Sequence, residues 1–538
     1  MKVRSLRIVS GEKTLADVLK KRFSARWVRV SEDAPDFTLE TKLDPAMPKD
    51  VFSVERTSSR SMISAASLSE LVCGTGRFLH ESVYEKDGMI PWNGEGMFSL
   101  EKPFRGIYFA VHFKNFYHSA PVEEVCEYIT DLALWGFNVF VFWYDLHHFR
   151  DFDDPESAAF RKRLTLFAET ARSMGMKRTC LHAVNEAFAD SPEAVRAQKE
   201  NGIRGGWYDS QICPSLPAGK EYLRKQFENL CRNFYAELQL DYLCFWPYDQ
   251  GGCGCGACAP WATKTYPELC VELEKILKSI LPGCRTIVSA WMFSESEWNT
   301  LLDYWKNNPE FCEYLLEEFL QKPVAQPFLG FPEISMKGMY PWGGFGASVL
   351  ARYQQQHWDS QKEFLQGGFP YSEGIFEDLS KVIYSQFYCW DSSASETMKK
   401  YIVYEFGLND PVPVMKALST LEDNHHIRTW NGLSELLTGK PSIMPVEPPQ
   451  KDPGAEEAFA LLQKMDAHLP EWGRNSWRWR IVFLRALLDA RLKMNDGKPD
   501  ELCEKAFDEL TMLYHAQHAE TTVSPPAKSR NNFWTSSL

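Results

Sequence analysis

Three of the 72 acidic residues in this 538-residue chain sit in surroundings that a solvated surface carboxylate does not need. Asp249, in FWPYDQGG, follows a run of aromatics and precedes a glycine pair, while Glu333 in GFPEISM and Glu373 in FPYSEGIFED are set among aromatic, proline and glycine residues. An apolar surround raises a carboxyl pKa and suits it to donate a proton. With a second carboxylate nearby, the pair can hydrolyse a glycosidic bond: one carboxyl protonates the leaving oxygen, and the other attacks the anomeric carbon or activates water there. In that reading Asp249 is the general acid, and Glu333 or Glu373 is the nucleophile or general base. For each carboxylate singly, the alternative is an ordinary ion pair or helix cap.

Further polar groups recur where apolar runs end. They are His112, Asn115, Asp145, His147 and His148 in FWYDLHHF, Asn185 and Glu186 in HAVNEAF, and Tyr248 and Gln250 beside Asp249. Such groups suit the binding of hydroxyls, and Trp291, Trp342 and Tyr371, with Trp246, offer flat apolar faces to sugar rings. Trp246, Trp291 and Tyr371 each read equally well as core. The glycine-bearing KGMYPWGGFGAS around Trp342 lacks the GK[ST] of a phosphate loop. A mononuclear metal hydrolase drawn from His112, Asp145, His147, His182 and Asp249 is a competing reading, without an HxH pair to support it.

Cys253, Cys255 and Cys258 form CxCxxC just after Asp249, and Cys213 in SQICPSLP is the best fourth thiolate. Four thiolates would close a tetrahedral zinc site that is structural and has no open position for chemistry. Reduced thiols packed in a glycine-rich turn are the alternative. No cofactor is expected for catalysis itself.

Positioning these groups requires eight strands. FRGIYFAVHF, NVFVFWYDL, RTCLHAVNEAF, DYLCFWPYDQ, RTIVSAWMF, CEYLLEEF, PFLGFPEIS and GFPYSEGIFE are each of strand length and mostly alternate with helical periodicity. Eight βα units predict a (β/α)8 TIM barrel, in which all strand C-termini open on one face and bring residues remote in sequence to one pocket. Before it, residues 1–100 alternate as β-α-β-β-β-α, a small α+β domain, with VFSVERTSSRSMISAAS counted as one strand. The barrel is expected over 101–394, a helical C-terminal domain over 395–520 and a disordered tail over 521–538.

Lys plus Arg number 59, so the formal charge is −13, spread without long single-sign blocks, which argues against nucleic-acid and anionic-membrane partners. No run approaches the roughly 18 apolar residues of a membrane span, and the start lacks a secretory h-region, so a cytoplasmic protein is expected. Fourteen cysteines in a chain this long are too dilute for a disulfide scaffold. Aromatics at 14% exceed what a core requires.

This arrangement resembles the exo-acting glycoside hydrolases that place a small α+β domain before a (β/α)8 barrel, among them families 20, 67, 84 and 89. The segment VFSVERTSSRSMISAASLSELVCGTGRFLHES looks like their strand-strand-helix leading into the barrel, and the helical C-terminal region narrows the resemblance to families 67 and 89. It implies an exo-acting glycosidase taking a terminal sugar from an oligosaccharide or glycoconjugate, with Asp249 and Glu333 or Glu373 as the acidic pair. A uronic-acid substrate would need a cation in the pocket, for which Arg105 and Lys114 are the candidates. Cys213 with CxCxxC resembles the zinc cluster of family 42 β-galactosidases. Asp249 is followed by Gln250 rather than by the Glu of substrate-assisted family 20 enzymes. A catalytically inactive glycan-binding barrel is the alternative from a different class.

Overall fold

The computed structural model describes residues 2–111, 115–198, 210–247, 252–291, 293–308, 312–317, 326–334, 346–424, 453–496 and 498–515. His112, Lys114, Tyr248, Asp249, Gln250, Trp342 and the tail 521–538 lie outside them.

The N-terminal sheet is built from β1 (Ser5–Ser10), β2 (Arg29–Val30), β3 (Phe37–Leu43), β4 (Val51–Arg56), β5 (Arg60–Ala65) and, after the small hairpin β6 (Val83–Glu85) and β7 (Gly88–Ile90), β8 (Gly96–Ser99). Their order is β2-β1-β3-β5-β4-β8, parallel except where β4 meets β5 and β8. The segment 51–67, expected as one strand, is an antiparallel hairpin, because the polar ERTSSR in its middle supplies a turn rather than a continuing ladder. Helix Leu68–Glu81 then starts at a capping box, Ser67 with Glu70.

Eight strand positions close into a parallel barrel. They are β9 (Phe104–Phe109), β10 (Val139–Trp143), β11 (Lys177–Ala183), β12 (Tyr242–Trp246), β13 (Arg285–Ser289), β14 (Tyr314–Glu317), β15 (Phe328–Gly330) and the split last strand, β16 (Gly367–Gly368) and β17 (Tyr371–Ser372). Each pairs with the next, and both β10 and β16 pair with β9, which closes the ring. All eight expected runs contain one of these strands, including CEYLLEEF, whose centre is β14. The closing seam demands glycine at 367: its φ is +122°, and a Cβ would stand 1.7 Å from the Phe104 carbonyl oxygen.

Alternation along the strands separates two cores. Phe104, Tyr108, Val139, Val141, Leu181, Ala183, Tyr242, Cys244, Ile287, Leu316, Leu329 and Phe369 fill the lumen, while the intervening residues pack against the surrounding helices. The lumen is therefore a packed core rather than a pore. After the barrel come helices Asp378–Trp390, Ala394–Tyr401, Val412–Asp423, Ala455–Asp466, Trp477–Met494 and Glu501–Leu513.

A buried ionic cluster ties these regions together. Arg478 reaches Asp378 at 2.9 Å, Asp131 at 3.1 Å and Glu405 at 3.7 Å, while Arg22 pairs with Asp131 and Arg26 with Glu405. One guanidinium thus joins the helix after β9, the helix after β17 and the C-terminal helices. No helix among the described residues is long and apolar enough to cross a membrane.

Candidate functional site

The top of the lumen is an aromatic floor. Trp246 lies 5.8 Å from Trp291, and both lie within 5.3 Å of Phe331, which in turn is 5.9 Å from Tyr371. Trp143 and Tyr371 belong to the same cluster, and Trp291 packs against it half-buried. Two residues beyond several of these lumen positions the chain turns polar: Asp145 after Trp143, Asn185 after Ala183, Glu333 after Phe331 and Glu373 after Tyr371. These polar residues continue the period of two that buries the aromatics, although the Asn185 amide turns to the loops that follow.

Glu333 and Glu373 flank Tyr371. Glu333 forms a parallel bridge with Tyr371, and the Tyr371 hydroxyl donates to Glu373 Oε1 at 2.8 Å. Burial, then the charge of Glu373 and later that of Glu333, push the Tyr371 hydroxyl well above its ordinary pKa, so it stays a donor.

Glu373 is itself fully buried, and its turn is held from behind. Glu377 Oε1 accepts from the backbone N–H of Glu373 at 2.7 Å, the N–H of Gly374 at 2.8 Å and the Ser372 hydroxyl at 2.8 Å. Lys381 donates to the Gly374 carbonyl and to the Tyr128 hydroxyl, and stands 3.8 Å from Glu377. Burial draws the Lys381 ammonium down to about 8. From the C-terminal region, the Tyr514 hydroxyl donates to the Glu373 carbonyl at 2.7 Å. Gly374 is needed there, since a Cβ would meet the Tyr514 ring at 2.5 Å.

Across the mouth, the ends of β10 and β11 carry two imidazole–carboxylate contacts. His148 Nε2 is 3.0 Å from Asp145, and His147 Nδ1 is 2.6 Å from Glu186, with Asp145 and Glu186 almost wholly buried. Burial raises the Glu186 carboxyl against the opposing pull of His147. Asn185 faces another way: its amide donates to the carbonyls of Ile212 at 3.1 Å and Gly252 at 2.7 Å.

Those two carbonyls immediately precede the cysteines. Cys213, Cys253, Cys255 and Cys258 bring their sulfurs within 4.8 Å of one another, with Cys213 at 3.7 Å from Cys255 and 3.8 Å from Cys258. The group has the donor set to hold a metal ion. Proximity splits the thiol acidities: a hydrogen bond from Cys253 draws Cys258 down to about 5, and Cys253 is pushed up correspondingly. The Thr265 hydroxyl donates to the Cys258 carbonyl at 2.8 Å, and the Trp261 indole donates to the Pro247 carbonyl just after β12 at 3.2 Å.

Three expectations are corrected. Arg105 lies at the start of β9, the opposite end of the barrel, fully buried and bonded to the carbonyls of Gly136 and Lys102, so it is not a cation of this mouth. His182 is not gathered with Asp145 and His147. It points outward from β11 between the inward Leu181 and Ala183, against Phe227 and the Tyr235 hydroxyl, where burial draws its imidazole down to about 3. Asn115 caps the short helix Phe116–Ser119 through Tyr117 N and bonds the Ala110 carbonyl.

Glu377, Lys381, Tyr514 and also Tyr117, whose hydroxyl donates to the Gly374 carbonyl at 3.0 Å, hold this turn and escaped the reading of the sequence. One signal was available, a lysine beside the apolar VI and FYCW of DLSKVIYSQFYCW, which becomes a helix buried along nearly its whole length.

No family model matches this chain, and no curated protein does. Solved structures do. A GH138 enzyme targeting pectin rhamnogalacturonan II aligns with a TM-score of 0.58 at 10% identity, over 96% of this chain and 91% of that one. A family 89 enzyme from Clostridium perfringens, in complex with its substrate GlcNAc-α-1,4-galactose, aligns with a TM-score of 0.59 at 11% identity, over 93% of this chain and 64% of that one. A GH20 exo-β-N-acetylglucosaminidase from Vibrio harveyi matches at 13% identity with a TM-score of 0.49, over 75% of this chain and 74% of that one. The fold of this chain is thus a TIM barrel with flanking regions, shared over nearly its full length with glycoside hydrolases.

Proposed function

We propose that this chain is an exo-acting glycoside hydrolase that removes a terminal sugar from an oligosaccharide or glycoconjugate by carboxylate acid–base chemistry. The observation that carries the reading is the placement of Glu333 and Glu373 on either side of Tyr371, above an aromatic floor at the C-terminal mouth of a closed barrel. The fold shared with glycoside hydrolases agrees with it but does not choose the sugar. In this reading Asp249, on the segment after β12, is the general acid, and Glu333 or Glu373 is the nucleophile or base. In the same reading the floor of Trp246, Trp291 and Phe331 receives the sugar ring, and Asp145, His147 and Glu186 bind its hydroxyls. Segment 101–394 carries the chemistry, with 1–100 and 395–520 supporting it.

We further propose that the four cysteines hold zinc. Tetrahedral coordination at a Zn–S distance of about 2.3 Å puts sulfurs about 3.8 Å apart, which the Cys213 contacts match. Cys213, Cys253, Cys255 and Cys258 would hold the ion, which supplies a crosslink between the segments after β11 and β12 and takes no part in bond breaking.

The test is turnover of aryl glycosides of both anomers, covering neutral, N-acetylated and uronic sugars, followed by an oligosaccharide series to see whether chains shorten one residue at a time. Wild type turns over one class, and Asp249→Asn and Glu373→Gln each lower kcat by about 10²- to 10⁴-fold. Glycan binding that survives both substitutions, with no turnover of any substrate, overturns the hydrolase and establishes a binding barrel.

A further inference from the structure

A second set of metal-binding groups lies on the same mouth, apart from the thiolates. Asp145 follows β10, and the single helical turn Leu146–His148 brings two imidazoles round beside it. One ligand atom from each of Asp145, His147 and His148 lies within 4.8 Å of the other two. His148 Nε2 stands 3.0 Å from Asp145 Oδ2, a separation that two ligands of one first-row ion adopt at bond lengths near 2.1 Å. The two rings are 4.2 Å apart between centroids.

Glu186, from the end of β11, supports this set from the side. Its Oε1 takes the Nδ1–H of His147 at 2.6 Å and the His147 backbone N–H at 3.3 Å. That contact selects the tautomer whose lone pair is on Nε2. A carboxylate on the far nitrogen is also the partner that orients metal-bound histidines and raises their basicity. Charge points the same way. Asp145 and Glu186 are each 1% exposed and each faces an imidazole. Both buried carboxylates therefore lie beside the proposed ligands, where a divalent ion supplies the opposite charge.

We propose that Asp145, His147 and His148 bind a first-row divalent transition-metal ion at the barrel mouth, with Glu186 as the positioning residue for His147. Two imidazole nitrogens and one carboxylate suit ions such as Zn²⁺ or Mn²⁺ rather than the all-oxygen preference of Ca²⁺ and Mg²⁺. Three protein ligands leave coordination positions open, which a pair of neighbouring sugar hydroxyls can fill. The site stands on its own geometry and does not depend on the hydrolase reading.

Metal content of the full chain, dialysed against Zn²⁺ and separately against Co²⁺, tests it without any measurement of turnover. Wild type binds about two equivalents if both sites fill. His148→Ala and His148→Gln each lose one equivalent, and with it the ligand-field absorption of Co²⁺ bound to nitrogen and oxygen. Cys255→Ser loses the other, and with it the sulfur-to-cobalt charge-transfer band. Glu186→Gln weakens the histidine site by about 10- to 100-fold. His148 is one-third exposed, so its replacement leaves the packing in place, which circular dichroism verifies. The proposal is overturned if the His148 variants hold as much metal as wild type, or if every ion in wild type disappears in Cys255→Ser.

Discussion

The two sides of the barrel mouth are held by different physics. On the β15–β17 side, Glu373 sits on a turn braced from behind by Glu377, Lys381 and Tyr514, a buried network continuous with the helical C-terminal region. On the β10–β12 side, the polar groups hang on segments organised by donor atoms: two imidazole–carboxylate contacts, four converging sulfurs and the Asn185 amide. One side owes its geometry to burial and should respond to lost packing and charge. The other gathers groups that suit metal ions, and with the proposed ions bound it should respond to chelators and protons.

Breaking the first side at its root should have the largest effect. Arg478→Ala leaves Asp378, Asp131 and Glu405 buried without their shared guanidinium, and is expected to destabilise the fold by about 3–5 kcal/mol in urea unfolding. Chelators should not mimic it. Next, Asn185→Ala removes two donated hydrogen bonds from the carbonyls before Cys213 and Cys253, and is expected to cost about 2–3 kcal/mol. The same variant should lose metal from the cysteine cluster faster than wild type in a chelator exchange assay. Unchanged exchange would separate the amide from the cluster.

Protons sharpen the contrast within β11 itself. His182 is buried neutral with its pKa drawn down to about 3 from 6.5, so between those values the unfolded chain binds a proton that the folded chain does not. Its contribution is complete above pH 6.5 and is lost as pH falls towards 3, at about 1.4 kcal/mol per pH unit. His182→Gln should flatten the acid limb of stability against pH, read by thermal melts between pH 7 and 4. Glu186 has the opposite sign. Its raised carboxyl favours the fold when protonated, and that contribution is lost as pH rises through its folded-state value, so Glu186→Gln should remove a loss seen on the way to neutrality.

The smallest expected effect is the most local. Tyr514→Phe deletes one hydroxyl that donates to the Glu373 carbonyl and should cost about 1 kcal/mol of stability. If the C-terminal helix positions Glu373, kcat falls in this variant while KM stays put. A fall in stability alone would make the contact merely structural.

Much of the barrel was legible in the sequence because parallel strands buried on both faces are apolar runs of strand length, and eight of them mostly alternating with helical segments leave few architectures. The cysteine quartet was legible for a related reason. CxCxxC fixes three donors locally, and adjacent strands put the fourth within reach. The N-terminal hairpin was missed because a short polar turn inside an apolar run looks like one solvent-facing stretch of strand. Arg105 was misplaced although its position, second in FRGIYFAVHF, already sets it at the N-terminal end of β9, away from the mouth. His182 and Asn185 stand three positions apart, yet alternation sends one outward to Phe227 and brings the other to the loops beside the mouth. Lys381 and Tyr514 were invisible as supports of Glu373, since their contacts span 7 and 141 positions and run through backbone atoms common to every residue.

What this chain's sequence determined by itself was the kind and order of its elements and the residue types available at each strand end, since periodicity and donor spacing are local properties. Only the tertiary structure decided which of those residues meet. Closing the ring at Gly367 against Phe104 brings β17 beside β9, the bridge between Glu333 and Tyr371 joins its neighbour, and a helix from the end of the chain reaches the turn that holds Glu373. Those meetings follow from the burial of whole faces summed over the fold, which no short stretch of sequence encodes.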